Sequence, residues 1–503
     1  MGDPDNDGNP NYQINLVLYQ DCNSNNWFTT GGPYPLSNAR VGIYEGQLNQ
    51  NNMSRSDELF LPLVDTGLVK PNFSDTCKFG ISNYCVFETV YSTVVELDAT
   101  TQGYHFIFDV CCRADPQPIG NGPNNVSVGS GEGSVFHTWV GSSAKKNSSV
   151  IFPPITEPYI CLGDTSIVNN TAQDLDGNIL TFEFYKPYDG SAAGGNSAAP
   201  GSFSYPVTNL VNYLNGFNQS VPFGTTGFVF IDPTSGLSLY QSGTNGIYLI
   251  GIKVTERDTA GTIVGVSERE FQYIVAPCQN SKPNSASKVI GTSDSLLVQE
   301  GDSICFPIGF YDPDGDTLNL SFSGDAFNPF LASSASFSTP TYLDSIIRSS
   351  VCWQTTCDLG RDAFYQVVAS ATDNGCPPRT TFSSHKITVI PFRLPSKIKG
   401  DTNVCHGPIY QYNIDSIIAK NFNWQVTNGQ FIGNTTSNKV FVKWNNGVLN
   451  GALSISPVSE FGCTDGTLNL NVNLRPIAPV EAGTDIILCD GDSAILGGSP
   501  SGP

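Results

Sequence analysis

Short runs of alternating apolar and polar residues recur along the whole chain. Tyr12–Tyr19 and Tyr104–Val110 are two examples, with apolar side chains at alternate positions. A period of two places these side chains on one face of an extended strand, which is typical of a half-buried β-strand. The chain has 50 Gly and 33 Pro residues, which separate the runs, and long helical periods are missing. The pattern predicts an all-β protein built from sandwich domains.

A unit of strand, acidic turn and strand occurs twice. Gly163–Phe184 aligns without a gap on Gly301–Phe322, and both copies close with similar strands. Internal repeats of this kind indicate repeated structural units. We therefore predict two related sandwiches, cadherin-like or Ig-like, at 158–279 and 280–394. They follow an N-terminal β-sandwich head domain at 1–157.

The last part of the chain predicts a different type of domain at 395–477. Its cysteines and tryptophans, set among alternating strands, are Cys405, Trp424, Trp444 and Cys463. A Cys…Trp…Cys order is typical of an immunoglobulin-like core, in which an indole packs near a bridge between two sheets. Residues 478–503 repeat the opening of this domain, and we expect them to start a further Ig-like domain that breaks off. The predicted fold is a tandem of disulfide-stapled sandwiches, elongated in shape.

Length and charge limit the classes of function. A chain of 503 residues exceeds what one core usually organises, and predicts roughly three to five domains. The formal net charge of -21 opposes nucleic-acid binding, which depends on Lys and Arg neutralising phosphates. No apolar run has the length of a membrane span, so we expect none in this chain.

Fourteen cysteines, scattered singly and without zinc-site spacing, predict structural disulfides made in an oxidising compartment. The alternative is a set of reduced, buried thiols. Cys77 and Cys85 are close enough in sequence to close a small loop, whereas adjacent Cys111 and Cys112 point to opposite faces of a strand and cannot share one partner. The opening residues lack a signal peptide, so we expect the natural N-terminus to lie upstream. The candidate disulfide cysteines are Cys22, Cys77, Cys85, Cys111, Cys112, Cys305, Cys352, Cys357, Cys376, Cys405 and Cys463.

The acidic turns are candidate calcium sites, because grouped carboxylates on short loops are the hard oxygen ligands that Ca²⁺ prefers. The second repeat offers Asp312, Asp314 and Asp316 around a glycine, with Asp373 at the end of a later strand. The alternative is a hairpin turn stabilised by Asp and Asn without a metal. The corresponding residues of the first repeat are Asp174, Asp176, Asn178 and Asp258.

Aromatic residues in loop-like surroundings could stack on sugar rings. Trp27 and Trp139 are the main candidates for glycan contact, and burial in a sandwich is the alternative for each. The four histidines are isolated in sequence and indicate packing or surface roles. No nucleophile elbow, P-loop or dinucleotide fingerprint occurs, so we expect no enzymatic activity and no organic cofactor.

Several motifs resemble, in order, the N-terminal region of the very large repeat proteins of Bacteroidota cell surfaces. They are Leu18–Cys22, Val41–Tyr44, Gly103–His105, Cys111–Arg113, Lys186–Gly190, Asp232–Leu237 and Phe271–Cys278. The resemblance implies association with gliding motility and adhesion, and export by the type IX secretion system. In addition, Asp312–Asp316 with Asp373–Gly375 is similar to cadherin-like repeats, and 395–477 looks like a PKD-like domain.

Together these observations favour an extracellular, cell-surface structural or adhesion protein, a multi-domain stalk or fibre subunit for attachment or gliding. Two alternatives stay open: a carbohydrate-binding module in the N-terminal domains, and a subunit of a self-assembling cell-surface filament. The expected partners are surface glycans, other cell-surface proteins or further copies of the chain.

Overall fold

Strands account for nearly all regular structure in this chain. The computed structural model describes residues 7–21, 37–69, 86–111, 122–127, 133–155, 157, 159–190, 200–286 and 295–475. In these ranges it contains β-strands and two short 3₁₀ turns, Ser143–Lys145 and Asp325–Phe327, and no α-helix. None of the described segments forms a helix suited to crossing a bilayer. The predicted all-β fold of tandem, disulfide-stapled sandwiches is confirmed.

Six of the first seven strands, all but β3, form one continuous sheet path, β1-β5-β4-β2-β6-β7. The long strand β4 pairs with β2 and with β5, which brings both halves of this path around one core. Leu18, Leu61, Tyr91 and Phe108 are buried there. The strand bounds are β1 (Asn11–Asp21), β2 (Asn38–Glu45), β3 (Met53–Ser54), β4 (Asp57–Val69), β5 (Val86–Glu96), β6 (Tyr104–Cys111) and β7 (Gly133–Val140).

Nine strands follow in the first repeat. They are β8 (Tyr159–Cys161), β9 (Ser166–Asn169), β10 (Ile179–Tyr185), β11 (Asp189–Gly190), β12 (Ser202–Phe203), β13 (Phe228–Ile231), β14 (Leu237–Gln241), β15 (Gly246–Arg257) and β16 (Ile263–Ala276). β13-β14-β9 form one sheet, and β16-β15-β10 belong to the other. The buried tyrosines Tyr240, Tyr248 and Tyr273 fill the core between them.

The sheet of the first strands runs on into this repeat, because β7 pairs with β16 in an antiparallel register that includes Trp139 opposite Val266. Hydrogen bonding therefore crosses the predicted boundary between residues 157 and 158. The bounds of the five predicted domains stay predictions.

The second repeat is a sandwich of two sheets, β17-β19-β23-β21 with β22, and β18-β25-β24-β20. Phe306, Trp353 and Val367 are among its buried residues. The bounds are β17 (Asn284–Ser285), β18 (Ser295–Gln299), β19 (Ser303–Tyr311), β20 (Asn319–Ser323), β21 (Ser336–Phe337), β22 (Thr341–Leu343), β23 (Ile346–Gln354), β24 (Tyr365–Thr372) and β25 (Thr380–Ile390).

The last seven strands form a sandwich of sheets β26-β32-β31-β28 and β27-β30-β29. β30 alternates as its sequence predicts: Val440, Val442 and Trp444 are buried, and Lys439 and Lys443 are exposed. Burial of each large side chain stabilises the fold by about 1.5–3 kcal/mol. The bounds are β26 (Asn403–Cys405), β27 (Ile409–Asn413), β28 (Asn421–Thr427), β29 (Gly429–Phe431), β30 (Lys439–Trp444), β31 (Asn450–Val458) and β32 (Leu468–Arg475).

By contact density the chain divides into two compact units. The first consists of Met1–Val298, Ser303–Gln354 and Arg361–Val389, and the second of Gln299–Asp302, Thr355–Gly360 and Ile390–Pro503. The first unit contains both repeats, and the second contains the last sandwich.

Candidate functional site

The acidic turn between β19 and β20 brings three carboxylates together. The Oδ1 atom of Asp312 accepts hydrogen bonds from the backbone N–H groups of Asp314 at 2.8 Å and Asp316 at 3.0 Å. These bonds form the Asx-stabilised turn that Asp and Gly favour, and Gly315 takes the left-handed φ of +84° that it requires. Carboxylate oxygens of Asp312, Asp314 and Asp316 lie within 4.8 Å of one another. The turn therefore places three oxygen ligands within reach of one cation.

Asp373, immediately after β24, is the fourth predicted ligand. Its side chain is only 4% exposed. The Oδ1 atom accepts three hydrogen bonds, from Nδ2 of Asn280 at 2.8 Å and from the backbone N–H groups of Gly375 at 2.9 Å and Arg379 at 3.0 Å. All the hydrogen bonding of this carboxylate is thus on one oxygen.

Two carboxylate oxygens in this region are buried without a hydrogen-bond donor, Oδ2 of Asp373 and Oδ2 of Asp312. Leaving a buried polar atom unsatisfied costs about 1–3 kcal/mol, and more for a charged group. Ca²⁺ is bound by six to eight oxygens, including carboxylates. The two unpartnered oxygens and the exposed carboxylate of Asp314 fit that requirement.

The electrostatics of the cluster also favour a cation. Burial, opposed by hydrogen bonds and assisted by the charge of Asp312, raises the pKa of Asp373 to about 6. Burial and the neighbouring Asp312 and Asp314 raise the pKa of Asp316 as well. Since these carboxylates repel one another, a bound divalent cation would stabilise their ionised forms, and protons would compete with it.

Two residues of the segment that links the two repeats, Asn280 and Ser281, contact Asp373 and the acidic turn. The backbone N–H of Ser281 donates to Oδ2 of Asp314 at 2.7 Å, and its hydroxyl donates to Oδ1 at 3.2 Å. Asn280 also donates to the carbonyl of Pro377 at 2.9 Å. The sequence analysis did not single out Asn280 or Ser281, because polar residues in a linker carry no signal until the linker is placed beside the turn.

The same two repeats are joined by an ion-pair cluster around Asp164. Its carboxylate is 3.0 Å from Nζ of Lys282 and 2.7 Å from a guanidinium nitrogen of Arg379. Although burial opposes ionisation, the hydrogen bonds from Lys282 and Arg379 lower the pKa of Asp164. Arg379 thus contacts Asp164 through its side chain and Asp373 through its backbone.

The predicted ligands of the first repeat are arranged differently. Oδ1 of Asp174 accepts hydrogen bonds from the N–H groups of Asp176 at 2.8 Å and Asn178 at 3.1 Å, and Oδ2 accepts one from Nδ2 of Asn178 at 3.2 Å. Asp258 instead pairs with Nζ of Lys145 at 2.7 Å. The four residues are therefore divided between an Asx turn and an ion pair, and calcium binding here stays a prediction.

Three disulfides join described cysteines. They are Cys161–Cys278, Cys305–Cys352 and Cys357–Cys463, with Cα–Cα distances of 5.3, 4.2 and 5.1 Å. Cys376 is disulfide-bonded too. Cys161 and Cys278 were not among the predicted candidates.

The bridge suggested by the Cys…Trp…Cys order of the last sandwich is wrong. Cys463 bonds to Cys357, whereas Cys405 is a free, exposed cysteine. Cys405 ends β26, which runs parallel to β32, and its side chain faces away from the core that buries Val404. Trp424 is buried in the core of this sandwich, as expected, but the predicted disulfide between Cys405 and Cys463 is not formed.

Several predicted residues cannot be placed. Cys22, Cys77, Cys85, Cys112 and Trp27 lie outside the described residues, and the same holds for the side chain of Cys111, the last residue of β6.

Trp139 is not available for stacking on a sugar. It is 6% exposed, and its indole N–H donates to the carbonyl of Gly46 at 3.0 Å. The prediction that Trp139 contacts a glycan is corrected accordingly, because alternation along β7 turns this side chain inward.

A buried polar chain that the sequence analysis missed lies where β6, β7 and β16 meet. Nδ1 of His105 is 3.0 Å from Nε2 of His137, and Nδ1 of His137 is 2.8 Å from Oε2 of Glu268. Oε1 of Glu268 accepts hydrogen bonds from the hydroxyls of Tyr188 at 2.6 Å and Tyr205 at 3.0 Å. The histidines are isolated in sequence, and only the strand register brings them together.

Comparison with known proteins gives no family for this chain. No family model and no curated protein matches it. Among solved structures it is similar to mouse clustered PcdhgC3 EC1-3, at 11% identity over 50% of this chain and 86% of that one, with a TM-score of 0.25. It is also similar to the N-terminal four Ig domains of Dscam1 isoform 7.44 (10% identity, 88% and 100% covered, TM-score 0.25) and to human CDH23 EC21-23 (12%, 65% and 100%, TM-score 0.20). These likenesses are distant, and the strands described above establish the fold.

Proposed function

We propose that this chain is an extracellular structural and adhesion protein, a series of sandwich domains that holds a cell surface to other surface proteins or to further copies of itself. The observation that carries the proposal is a chain of consecutive β-sandwiches in which three disulfides join described cysteines. Such bridges form and persist in oxidising, extracellular environments. The lack of catalytic sequence motifs supports a role in binding rather than catalysis.

Adhesion is tested with beads that carry the full chain. We expect them to be retained on producing cells, or on one another, more than beads that carry an unrelated protein of similar net charge. Equal retention of the two kinds of bead on every surface would contradict an adhesive function.

The motif resemblance supports a narrower proposal, a gliding-motility or adhesion protein of a Bacteroidota surface exported by type IX secretion. Immunodetection on intact cells tests it. We expect surface signal that disappears when that secretion system is inactivated, and signal that persists would contradict this route of export.

The edge of the sheet at β1 favours an alternative function, in which the chain is a subunit of a self-assembling filament. β1 pairs with β5 alone among the described strands, and residues 11–20 of this edge strand carry no charge and no proline. Exposed apolar side chains lie on this edge strand and on the two strands that follow it in the sheet: Val17 on β1, Val94 on β5 and Phe60 on β4. Unprotected edges of this kind pair readily with other strands. Electron microscopy showing only monomers at high concentration would remove this alternative.

We also propose that Asp312, Asp314, Asp316 and Asp373 bind Ca²⁺. The two unpartnered carboxylate oxygens carry this proposal. Calorimetry on chelator-treated protein is expected to detect Ca²⁺ binding, and the affinity is expected to fall between pH 7 and pH 5 because the pKa of Asp373 is about 6.

The matched variants are Asp373→Asn and Asp258→Asn. The first removes the charge of the carboxylate that carries one of the two unpartnered oxygens, and we expect about a tenfold or greater loss of affinity, or roughly 1.4 kcal/mol. The second alters a carboxylate already paired with Lys145, and we expect affinity at the Asp312 turn to be unchanged. No heat of binding in the unmodified chain, or equal affinities in both variants, would contradict the proposal.

A further inference from the structure

The three disulfides between described cysteines follow one another along the chain without overlapping. The bridges Cys161–Cys278, Cys305–Cys352 and Cys357–Cys463 span sequence separations of 117, 47 and 106 residues. Each loop closes before the next one opens. Most of the chain from Cys161 to Cys463 therefore lies inside a covalently closed loop.

The first bridge joins the two places where the chain enters and leaves the first repeat. Cys161 ends β8, and Cys278 lies two residues beyond the end of β16. β8 and β16 run parallel, with Cys161 opposite Ala276. A pull on the chain at β8 and beyond Cys278 would thus be transmitted through the bridge, and strands β9 to β16 would not be stretched.

The other two bridges continue this arrangement. Cys305 and Cys352 are opposed in the register of β19 and β23, so their loop encloses β20 to β22. Only Trp353–Thr356 separates Cys352 from Cys357. The third bridge then encloses β24 to β31, and Cys463 is fully buried. Beyond it, β32 pairs in parallel with β26.

We propose that these bridges form a covalent tension path through the chain, which limits its extension when it is pulled between two surfaces. The inference rests on the proposed adhesive function, because tension arises only when both ends are held. Between Cys161 and Arg475, the peptide that these three bridges leave under load is limited to the short segments 279–304, 353–356 and 464–475. Opening all three loops would add roughly 400, 160 and 370 Å, at about 3.5 Å per extended residue.

Single-molecule force spectroscopy on the full chain, tagged at both ends, tests the path. We expect the fully unfolded Cys161→Ser/Cys278→Ser variant to be longer than the unmodified protein by roughly 400 Å, and the Cys357→Ser/Cys463→Ser variant by roughly 370 Å. Cys405→Ser is the matched control, since this thiol forms no disulfide, and its length should be unchanged. The unmodified protein and the three variants are all compared in a Cys376→Ser background, because the disulfide of Cys376, which lies inside the third loop, would otherwise limit extension as well.

Unchanged lengths in both double variants would overturn the proposal. If a double variant fails to fold, the unmodified protein is held at constant force and exposed to a reductant. Discrete steps of roughly 160, 370 and 400 Å are then expected, and their absence would overturn the proposal equally. Bead retention measured without force tests adhesion separately. A negative result in the force experiment would therefore contradict the tension path and not the adhesive function.

Discussion

His105 and His137 share a hydrogen bond whose direction follows from their other neighbours. Nε2 of His105 faces the carbonyl oxygen of Gln47 at 3.2 Å, which only accepts, so Nε2 of His105 carries the hydrogen. Nδ1 of His105 is then an acceptor, and Nε2 of His137 donates to it. The tautomers are assigned from this network of hydrogen bonds.

Glu268 completes this network of hydrogen bonds. Its Oε1 atom accepts from two tyrosine hydroxyls, and its Oε2 atom lies 2.8 Å from Nδ1 of His137. Glu268 thus links both tyrosines and the two histidines in one buried network. The side chains of His137 and Glu268 are both almost fully buried.

We predict that Glu268→Gln destabilises the protein by about 1–3 kcal/mol, because an amide cannot make all the contacts of the carboxylate with His137 and the two tyrosine hydroxyls, and a buried polar group is left without a partner. Urea unfolding followed by the fluorescence of the neighbouring Trp139 measures the loss. The control is Glu183→Gln, whose carboxylate is half exposed beside Lys253 and is expected to contribute less than about 1 kcal/mol. Equal effects of the two substitutions would contradict a stabilising role of this buried network.

The buried network that contains His105 also predicts that the stability of the protein depends on pH. Burial, with a smaller effect of His137, lowers the pKa of His105 to about 3, below the usual value of about 6.5. Between these values the unfolded chain binds a proton that the folded chain does not. The contribution of His105 to stability is thus fully present above about pH 6.5 and is lost as the pH falls toward 3.

Melting temperatures measured from pH 3.5 to pH 7 check this dependence. His105→Gln removes the titrating group, so we expect a smaller change of melting temperature across this range than in the unmodified protein. Identical pH profiles would show that His105 titrates alike in the folded and unfolded chains.

Individual strands were the part of the fold most open to prediction. The alternating runs Tyr12–Tyr19 and Tyr104–Val110 lie in β1 and β6. Alternation determines which side chains share a face, and this is a local property. It does not determine which strand pairs with which, so the pairing of β7 with β16 could not be predicted.

Hydrogen exchange should distinguish strands by their position in the sheet. β15 is paired on both sides, with β10 and β16, whereas β1 is paired only with β5 among the described strands. We expect slow exchange throughout β15 and rapid exchange at those amides of β1 that face away from β5. Uniformly slow exchange along β1 would indicate that another chain covers its edge, as in a filament.

At the scale of the whole molecule, the candidate site was predictable only in part. The spacing of Asp312, Asp314 and Asp316 identified the acidic turn. The partner of Cys463 could not be deduced in the same way, because Cys357 lies 106 residues earlier and the two meet only through the folded path of the chain. Disulfide connectivity is a spatial property, and sequence spacing leaves it open.

The shared sheet of β7 and β16 has a consequence for how this chain can be divided. A fragment ending at residue 157 would lack β16, the strand that pairs with Thr138–Val140. The backbone N–H and C=O groups of β7 that bond to β16 would then be unpaired and could bond to another chain. A fragment that keeps these pairs must include β16, which ends at Ala276. We therefore expect the head and the first repeat to fold properly only when they are produced together.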